Sequence, residues 1–338
     1  MTAQKSPTLT ENEIRPQALM SEQARRFAND IARLQKHTAQ FVEVSCPACD
    51  SRSSTFEWTK YELKYVRCAE CKTVFINPRP PPAVLEEYYR HSENYAYWNE
   101  FIFPASEDAR REKIFKPRAT RLIDICKRHG ITGGTLLEIG AGFGTFGQEV
   151  TKTGFFKRFI AVEPTPGLAA TCRKRGLEVI ESPIEHATLA PGSIDVIASF
   201  EVVEHLFSPK DILTKAAHFL RPGGLMVVSV PACSGFDVMM LREKSSSVDV
   251  EHLNYFHPES LAKLFERCGF KALEVQTPGK LDAELVRNKV LEGAFSVDHD
   301  PFLKLVLIDK WAELGGAFQD FLAANNLSSH LWVTAQKL

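Results

Sequence analysis

The stretch "TLLEIGAGFGTFGQEV", residues 135–150, constrains the fold more than any other part of this chain. A short apolar run ends in glycines at 140, 142 and 144, and a helical pattern starts at once. Glycines there let the backbone turn tightly at the carboxyl end of a strand, where open α/β sheets bind their ligands. The same rhythm recurs downstream in "RFIAV" (158–162), "LEVI" (177–180), "IDVIASF" (194–200) and "GLMVVSV" (224–230). Each is short, mostly apolar and rich in β-branched residues, as a strand buried on both faces is. Helical patterns lie between them. In "PKDILTKAAHFL", Ile212, Ala216 and Phe219 share one face, Ser208 stands at the N-cap position and Gly223 ends the unit. Strands alternating with helices predict an α/β fold with a mostly parallel sheet covered on both sides.

Further along, "HPESLAKLFERCGF" reads as a helix with Pro258 in its first turn and Gly269 at its end, followed by a strand, "KALEVQT" (271–277). The last segment, "HLWVTAQKL", reads as a terminal strand antiparallel to 271–277, which makes residues 279–328 a helical insertion in a hairpin connection. No internal repeat is visible.

Of the 338 residues, 44% are hydrophobic and 25% charged, and the formal net charge is -1. That balance predicts a large core and gives no electrostatic footprint for a polyanion, so nucleic acid is disfavoured as a partner. No apolar run approaches the roughly 18 residues needed to span a bilayer. The opening "MTAQKSPTLTENEIRPQ" lacks the apolar core of a signal peptide, and the reading is a cytoplasmic protein without membrane association. Nothing in the sequence speaks to oligomeric state.

Residues 1–40 read as a polar, disordered tail to about residue 17, then an amphipathic helix with Phe27, Ile31 and Leu34 at helical spacing. Residues 41–80 form a cysteine module. Cys46 and Cys49 in "CPAC" are followed by Cys68 and Cys71 in "CAEC", the spacing of a four-thiolate zinc ribbon. Four protein thiolates close the tetrahedron, so the predicted zinc is structural. The module ends in "NPRPPP", a rigid exit that reads as a domain boundary. Residues 81–116 are unusually aromatic, with Tyr88, Tyr89, Tyr95, Tyr97, Trp98, Phe101 and Phe103. They read either as a linker packed on the main domain or as a lid over an acceptor pocket. The main domain covers 117–338.

The loop spacing is E-x-G-x-G-x-G, with Thr145 where a dinucleotide fingerprint needs its third glycine. This argues against a nicotinamide-dependent oxidoreductase. In order and spacing, "LLEIGAGFG", "AVEP", "IDVIASFEVVEHL" and "LRPGGLMVVSVP" resemble the motifs of class I S-adenosylmethionine (SAM)-dependent methyltransferases. The resemblance implies a Rossmann-like sheet with an antiparallel terminal strand. It also implies a SAM site at Glu138, Gly140, Gly142, Gly144, Glu163 (the ribose hydroxyls), Ile184, Phe200 and Glu201. Pro183 in "ESPIEH" stands where many relatives carry an Asp that reaches the adenine amino group, so adenine recognition falls to backbone near Ile184. Such an enzyme would methylate a small polar acceptor, for which a sugar, nucleotide-linked sugar or related metabolite is the first reading. Zinc-ribbon ends also precede ribosomal-RNA methyltransferases, which keeps an RNA substrate as an alternative. A non-catalytic scaffold is a further one.

"FEVVEHL" borders the expected methyl group. On a helix, Glu201, Glu204 and His205 would share one face. A second segment, "DVEHLNYFHPE", offers His252, Tyr255 and His257. The catalytic candidates are therefore Glu204, His205, His252 and Tyr255. The "E-x-x-E-H" pattern with a later His resembles the ligand set of metal-dependent small-RNA 2'-O-methyltransferases, and its first part that of ubiquinone-pathway O-methyltransferases. The first of these resemblances implies a magnesium-like ion on Glu201, Glu204, His205 and His252. A histidine base without metal, and a structural role for the cluster, remain open beside it.

Overall fold

The computed structural model describes residues 9–338. Three strands come from the cysteine module: β1 (Ser54–Lys60), β2 (Leu63–Cys68) and β3 (Val74–Ile76). The main domain contributes β4 (Thr135–Ile139), β5 (Arg158–Val162), β6 (Glu178–Ile180), β7 (Ile194–Phe200) and β8 (Leu220–Pro231). It continues with β9 (Asn254–Tyr255), β10 (Phe270–Gln276) and β11 (His330–Lys337). The large sheet has seven strands in the order β10-β11-β8-β7-β4-β5-β6. β4 to β8 pair in parallel, and β11 runs antiparallel to both β10 and β8. This is the predicted Rossmann-like arrangement, including the terminal hairpin with its helical insertion.

Alternation along the strands explains why both faces are apolar. Leu137, Ile139, Ile160, Val162 and Ile197 belong to the core on one face. Leu136, Ala161, Val196 and Ala198 belong to the core on the other, with Phe146, Val150 and Cys172 from the flanking helices. A parallel sheet buried on both sides needs apolar residues at every position, which is why its strands read as continuous runs.

The insertion consists of helices Asp282–Leu291 and Trp311–Ala324 with a short helical stretch, Pro301–Lys304, between them. Its Ala283, Val286, Leu307 and Leu322 form a small core shared with Phe236 and Leu241 of the main domain. Buried Asp282 fixes its return to the sheet by accepting from Ser328 Oγ and the Ser329 amide, both at 2.5 Å.

Two expectations need correction. The tail, predicted disordered to about residue 17, contains a helical turn, Glu11–Ile14, and helix Gln17–Gln35 starts at residue 17; residues 1–8 lie outside the described residues. The turn is held by partners that composition cannot reveal. Thr10 and Glu13 form a capping box, Glu13 pairs with Lys113, Glu11 accepts from Asn288 Nδ2 at 3.0 Å, and the Ile14 carbonyl accepts from Arg110.

The second concerns the boundary at "NPRPPP", which separates no independent core. The ribbon sheet has four strands, and the fourth, β9, comes from the main domain. Val74 pairs with Tyr255 and Phe75 with Asn254. Cys46, Cys68, Cys71 and Phe75 share one core with Phe256 and Leu261, while Tyr65, Val74 and Ile76 share another with Val248, Leu253 and Tyr255. The fully buried Arg79 of that exit donates to the Ile76 and Phe207 carbonyls, tying the ribbon to the loop after β7.

Candidate active site

β4 ends at Ile139, and Gly140 turns the chain with φ +76°. A Cβ there would lie 2.4 Å from Val202 Cγ2, so the turn after β7 occupies the space that glycine leaves. Glu163, at the end of β5, is 4% exposed and accepts from the Gly142 amide at 2.8 Å and the Thr165 amide at 2.9 Å. These bonds aim a carboxylate across the mouth of the loop, and each of its oxygens keeps lone pairs for a diol. Burial holds its carboxyl above the usual range, against the pull of the two amides. Glu138 is 3% exposed and its Oε2 has no partner. Burial raises its pKa well above the usual value, opposed by the nearby Arg118. A buried carboxylate oxygen without a donor fits an ammonium or hydroxyl ligand, since leaving it unmet costs about 1–3 kcal/mol. Ile184 is buried in the main core, in a short turn, Ile184–His186.

Arg118, which the sequence reading passed over, is the cation of this region. Its guanidinium lies 4.4 Å from the Phe200 ring centroid and near Glu201, Glu138 and Glu204, with no hydrogen bond or ion pair among the described residues. Phe200 packs between Phe146 at 5.0 Å and Trp332 at 5.2 Å, so its ring serves the core and the arginine. A basic residue on an otherwise amphipathic helix just before the first strand was the available signal.

The residues of "SFEVVEHLF" do not continue β7 as a helix. Glu201 has φ +57°, and a single tight turn, Val203–His205, follows. The left-handed residue breaks the 3.6-residue phase. The Glu201 carboxylate accepts from Ser229 Oγ at 2.6 Å and lies 3.2 Å from His330 Nε2, and it is not among the residues whose ligand atoms cluster with Glu204 and His205. The predicted four-ligand set therefore loses Glu201. One ligand atom from each of Glu204, His205 and His252 does lie within 4.8 Å of the others.

Within that trio Glu204 is fully buried, and neither carboxylate oxygen has a partner. Burial and the charge of Glu201 keep its carboxyl well above the usual range. His205 Nδ1 lies 3.0 Å from the Glu251 carbonyl, and His252 Nδ1 lies 2.8 Å from the Ser247 carbonyl. A carbonyl only accepts, so each Nδ1 carries a proton. His205 is pushed down to about 3 by burial and by His252, and so stays neutral in ordinary buffers.

Tyr255 is placed elsewhere. Its fully buried hydroxyl donates to the Ser247 carbonyl and accepts from the Asp249 amide, both at 3.0 Å, which fixes the loop carrying His252. With both bonds made its proton is engaged and one oxygen lone pair remains. His257 caps helix Pro258–Arg267.

The aromatic segment covers this wall. Helix Pro82–His91 brings Tyr89 to 3.4 Å from His205 Nδ1 and Tyr88 to 2.8 Å from Glu251 Oε1. Phe103 packs against Phe143 of the glycine loop, with ring centroids 4.4 Å apart and the planes tilted by 48°. The buried Asp30 holds the corner between these helices, accepting from Ser92 Oγ and the amides of Glu93 and Asn94.

In the ribbon, Asp50 and Lys72 follow the two C-x-x-C pairs in left-handed conformation, and their amides donate to the Cys46 and Cys68 carbonyls. The two knuckles bring the sulfurs of Cys46, Cys49, Cys68 and Cys71 within 4.8 Å of one another. A set of four sulfurs suits a tetrahedral zinc ion.

Residues 108–275 match the family described as "Methyltransferase domain". The chain is 25% identical over 250 residues to the C-methyltransferase NovU of Streptomyces niveus, covering 72% of this chain and 54% of that protein. It is 31% identical over 116 residues to the ubiquinone biosynthesis O-methyltransferase of Xylella fastidiosa (strain M23), covering 32% of this chain and 46% of that one. The chain thus spans about half the length of these curated relatives. Among solved structures, a SAM-dependent methyltransferase from Thermotoga maritima aligns with TM-score 0.47 and 19% identity over 75% of this chain and 99% of that one.

Proposed function

We propose that this chain, whose α/β core is a class I SAM-dependent methyltransferase domain, transfers the methyl group of SAM to a small polar acceptor at oxygen or carbon. The observation that carries this reading is Glu163, held by the Gly142 amide at the mouth of the glycine loop. That carboxylate suits the ribose diol. The unpartnered oxygen of Glu138 and the unpaired guanidinium of Arg118 suit the ammonium and carboxylate of an amino-acid tail. When bound, SAM supplies an electrophilic methyl group on a sulfonium.

The chain's own residues do the rest. The glycine loop and Glu163 orient the cofactor, and the helices carrying Tyr89 and Phe103 cover it and exclude water. The acceptor meets the wall of Glu204, His205 and His252, where the Glu204 carboxylate or an imidazole takes its proton. With SAM held by the glycine loop and Glu163, the deprotonated acceptor atom would stand at this wall to receive the methyl group, the carbon–sulfur electron pair remaining with sulfur. Relatives named as a C-methyltransferase and as O-methyltransferases support both kinds of acceptor atom. We assign the ribbon cysteines a structural zinc that braces the strand next to the acceptor loop.

Titration with S-adenosylhomocysteine and with NADH tests the cofactor, and only the former should bind. Binding of NADH alone overturns the reading in favour of an oxidoreductase. A metabolite screen with methyl-labelled SAM should then put label on a sugar-like or related small molecule; tight RNA binding at physiological salt would instead favour an RNA acceptor.

A further inference from the structure

The wall assigned to the acceptor is covered. Glu204 is fully buried, and the side chains of His205 and His252 are each 18% exposed. An acceptor atom that is to meet them needs a cover that moves. Helix Pro82–His91, which reaches the wall through Tyr89, is not that cover. Its Val84, Leu85 and Tyr88 are rooted in a core shared with Tyr65, Val74 and Leu253. Pulling it away would expose those side chains to water, at about 1.5–3 kcal/mol for each apolar one.

Residues 9–15 have the opposite character. The turn Glu11–Ile14 has no buried residue, and from 9 to 15 only Leu9 is buried. Yet this segment touches three separate elements around the site. Glu13 pairs with Lys113, and the Ile14 carbonyl accepts from Arg110 Nη2 at 2.8 Å. Both partners lie on the helical run 103–115, whose Phe103 covers the glycine loop. Glu11 accepts from Asn288 Nδ2 of the insertion at 3.0 Å. Arg15, paired with Glu11 at 3.1 Å, donates to Ser246 Oγ at 3.3 Å. Ser246 precedes the residue whose carbonyl holds His252. Polar, partly exposed contacts of this kind contribute about 0–1 kcal/mol each. A segment held mainly by them opens locally at small cost while the rest of the fold stays intact.

We propose that residues 9–15 are a strap that gates the acceptor side of the site, so that an acceptor reaches Glu204, His205 and His252 only while the strap is lifted. The proposal takes its purpose from the methyl-transfer reading and its geometry from the contacts above. With the strap seated, the helical run over the glycine loop, the insertion and the loop before β9 are tied to one another, and the wall is shielded from water. With the strap lifted, the loop that carries His252 loses an anchor at Ser246. Salt favours the lifted state, because it screens the partly exposed pair of Glu13 and Lys113.

The test treats the full chain, without SAM or acceptor, with diethyl pyrocarbonate, a small electrophile that modifies uncharged imidazoles; mass spectrometry of peptides gives the rate at each histidine. E13K turns the pair with Lys113 into a repulsion and should speed His205 and His252 about fivefold, leaving the exposed His186 at its wild-type rate. E13K/K113E restores the pair with its charges exchanged and should bring both rates at least halfway back. Salt at roughly 1 M should speed the wild type and not E13K. Unchanged rates at His205 and His252 in E13K, or no recovery in the double variant, overturn the proposal. So does a rise in E13K that comes with loss of the cooperative melting transition, which is unfolding. The probe needs no cofactor, so the two readings fail separately. A protein that binds no S-adenosylhomocysteine can still show the gate, and one that binds it can lack the gate.

Discussion

The half of the site that we assign to the cofactor and the half that we assign to the acceptor are built in opposite ways. The cofactor half is local, since Glu138 to Gly144 are one strand and its turn, and Glu163 ends the adjacent strand, β5. The half that we assign to the acceptor is assembled from four stretches far apart in the chain: the helix carrying Tyr89, the turn after β7, the loop before β9, and the ribbon strand that pairs with β9. A local site survives distant damage. An assembled one fails when any contributor moves, so the halves should respond differently to the same perturbation.

The largest difference should follow loss of the ribbon metal. Cys68→Ser should release zinc and lower the melting temperature by roughly 10 °C, abolish turnover, and leave binding of S-adenosylhomocysteine within about threefold. Equal loss of cofactor binding, read by calorimetry, would break the comparison. Next, Glu163→Gln should weaken S-adenosylhomocysteine about 10- to 100-fold, since a charge-assisted bond is replaced at one partner only.

A third effect depends on pH. Asp237 accepts from Ser245 and Ser247, at the start of the acceptor loop. Burial, then the charge of Asp282, raises it to about 6. The folded state therefore binds more protons than the unfolded chain between pH ~4 and ~6, and stability must fall as pH rises through that window. The span should be roughly 3 kcal/mol, and Asp237→Asn should flatten it; denaturant midpoints across pH 4–7 check this. The smallest effect is that of Tyr255→Phe. Losing a hydroxyl that holds the Ser247 carbonyl and the Asp249 amide should cost about 1–2 kcal/mol. It should leave the pH dependence of turnover unchanged, because Tyr255 serves the loop and takes no proton.

This difference also decides what could be read from sequence. Strands β4 to β8 and the glycine loop were legible because buried parallel strands announce themselves as apolar runs and the loop's chemistry lies in consecutive residues. The cysteine knuckles were legible for the same reason. Glu201 was misplaced because a single left-handed residue resets the phase on which helical-face reasoning depends. β9 has only two residues, too few for any periodicity, yet it fuses the ribbon to the domain. Arg118 escaped notice because its role comes from carboxylates on other strands. Tyr255 could be recognised as an aromatic neighbour of His252, but its two backbone bonds exist only after the loop closes.

The borrowed strand β9 also has a consequence for biosynthesis. The ribbon leaves the ribosome long before Asn254 and Tyr255 do, so until they arrive the outer edge of β3 has unpaired amides and carbonyls. A bare edge of that kind recruits strands from other chains. The nascent protein is thus most prone to association in the interval between these two segments, and completing the acceptor loop removes the hazard.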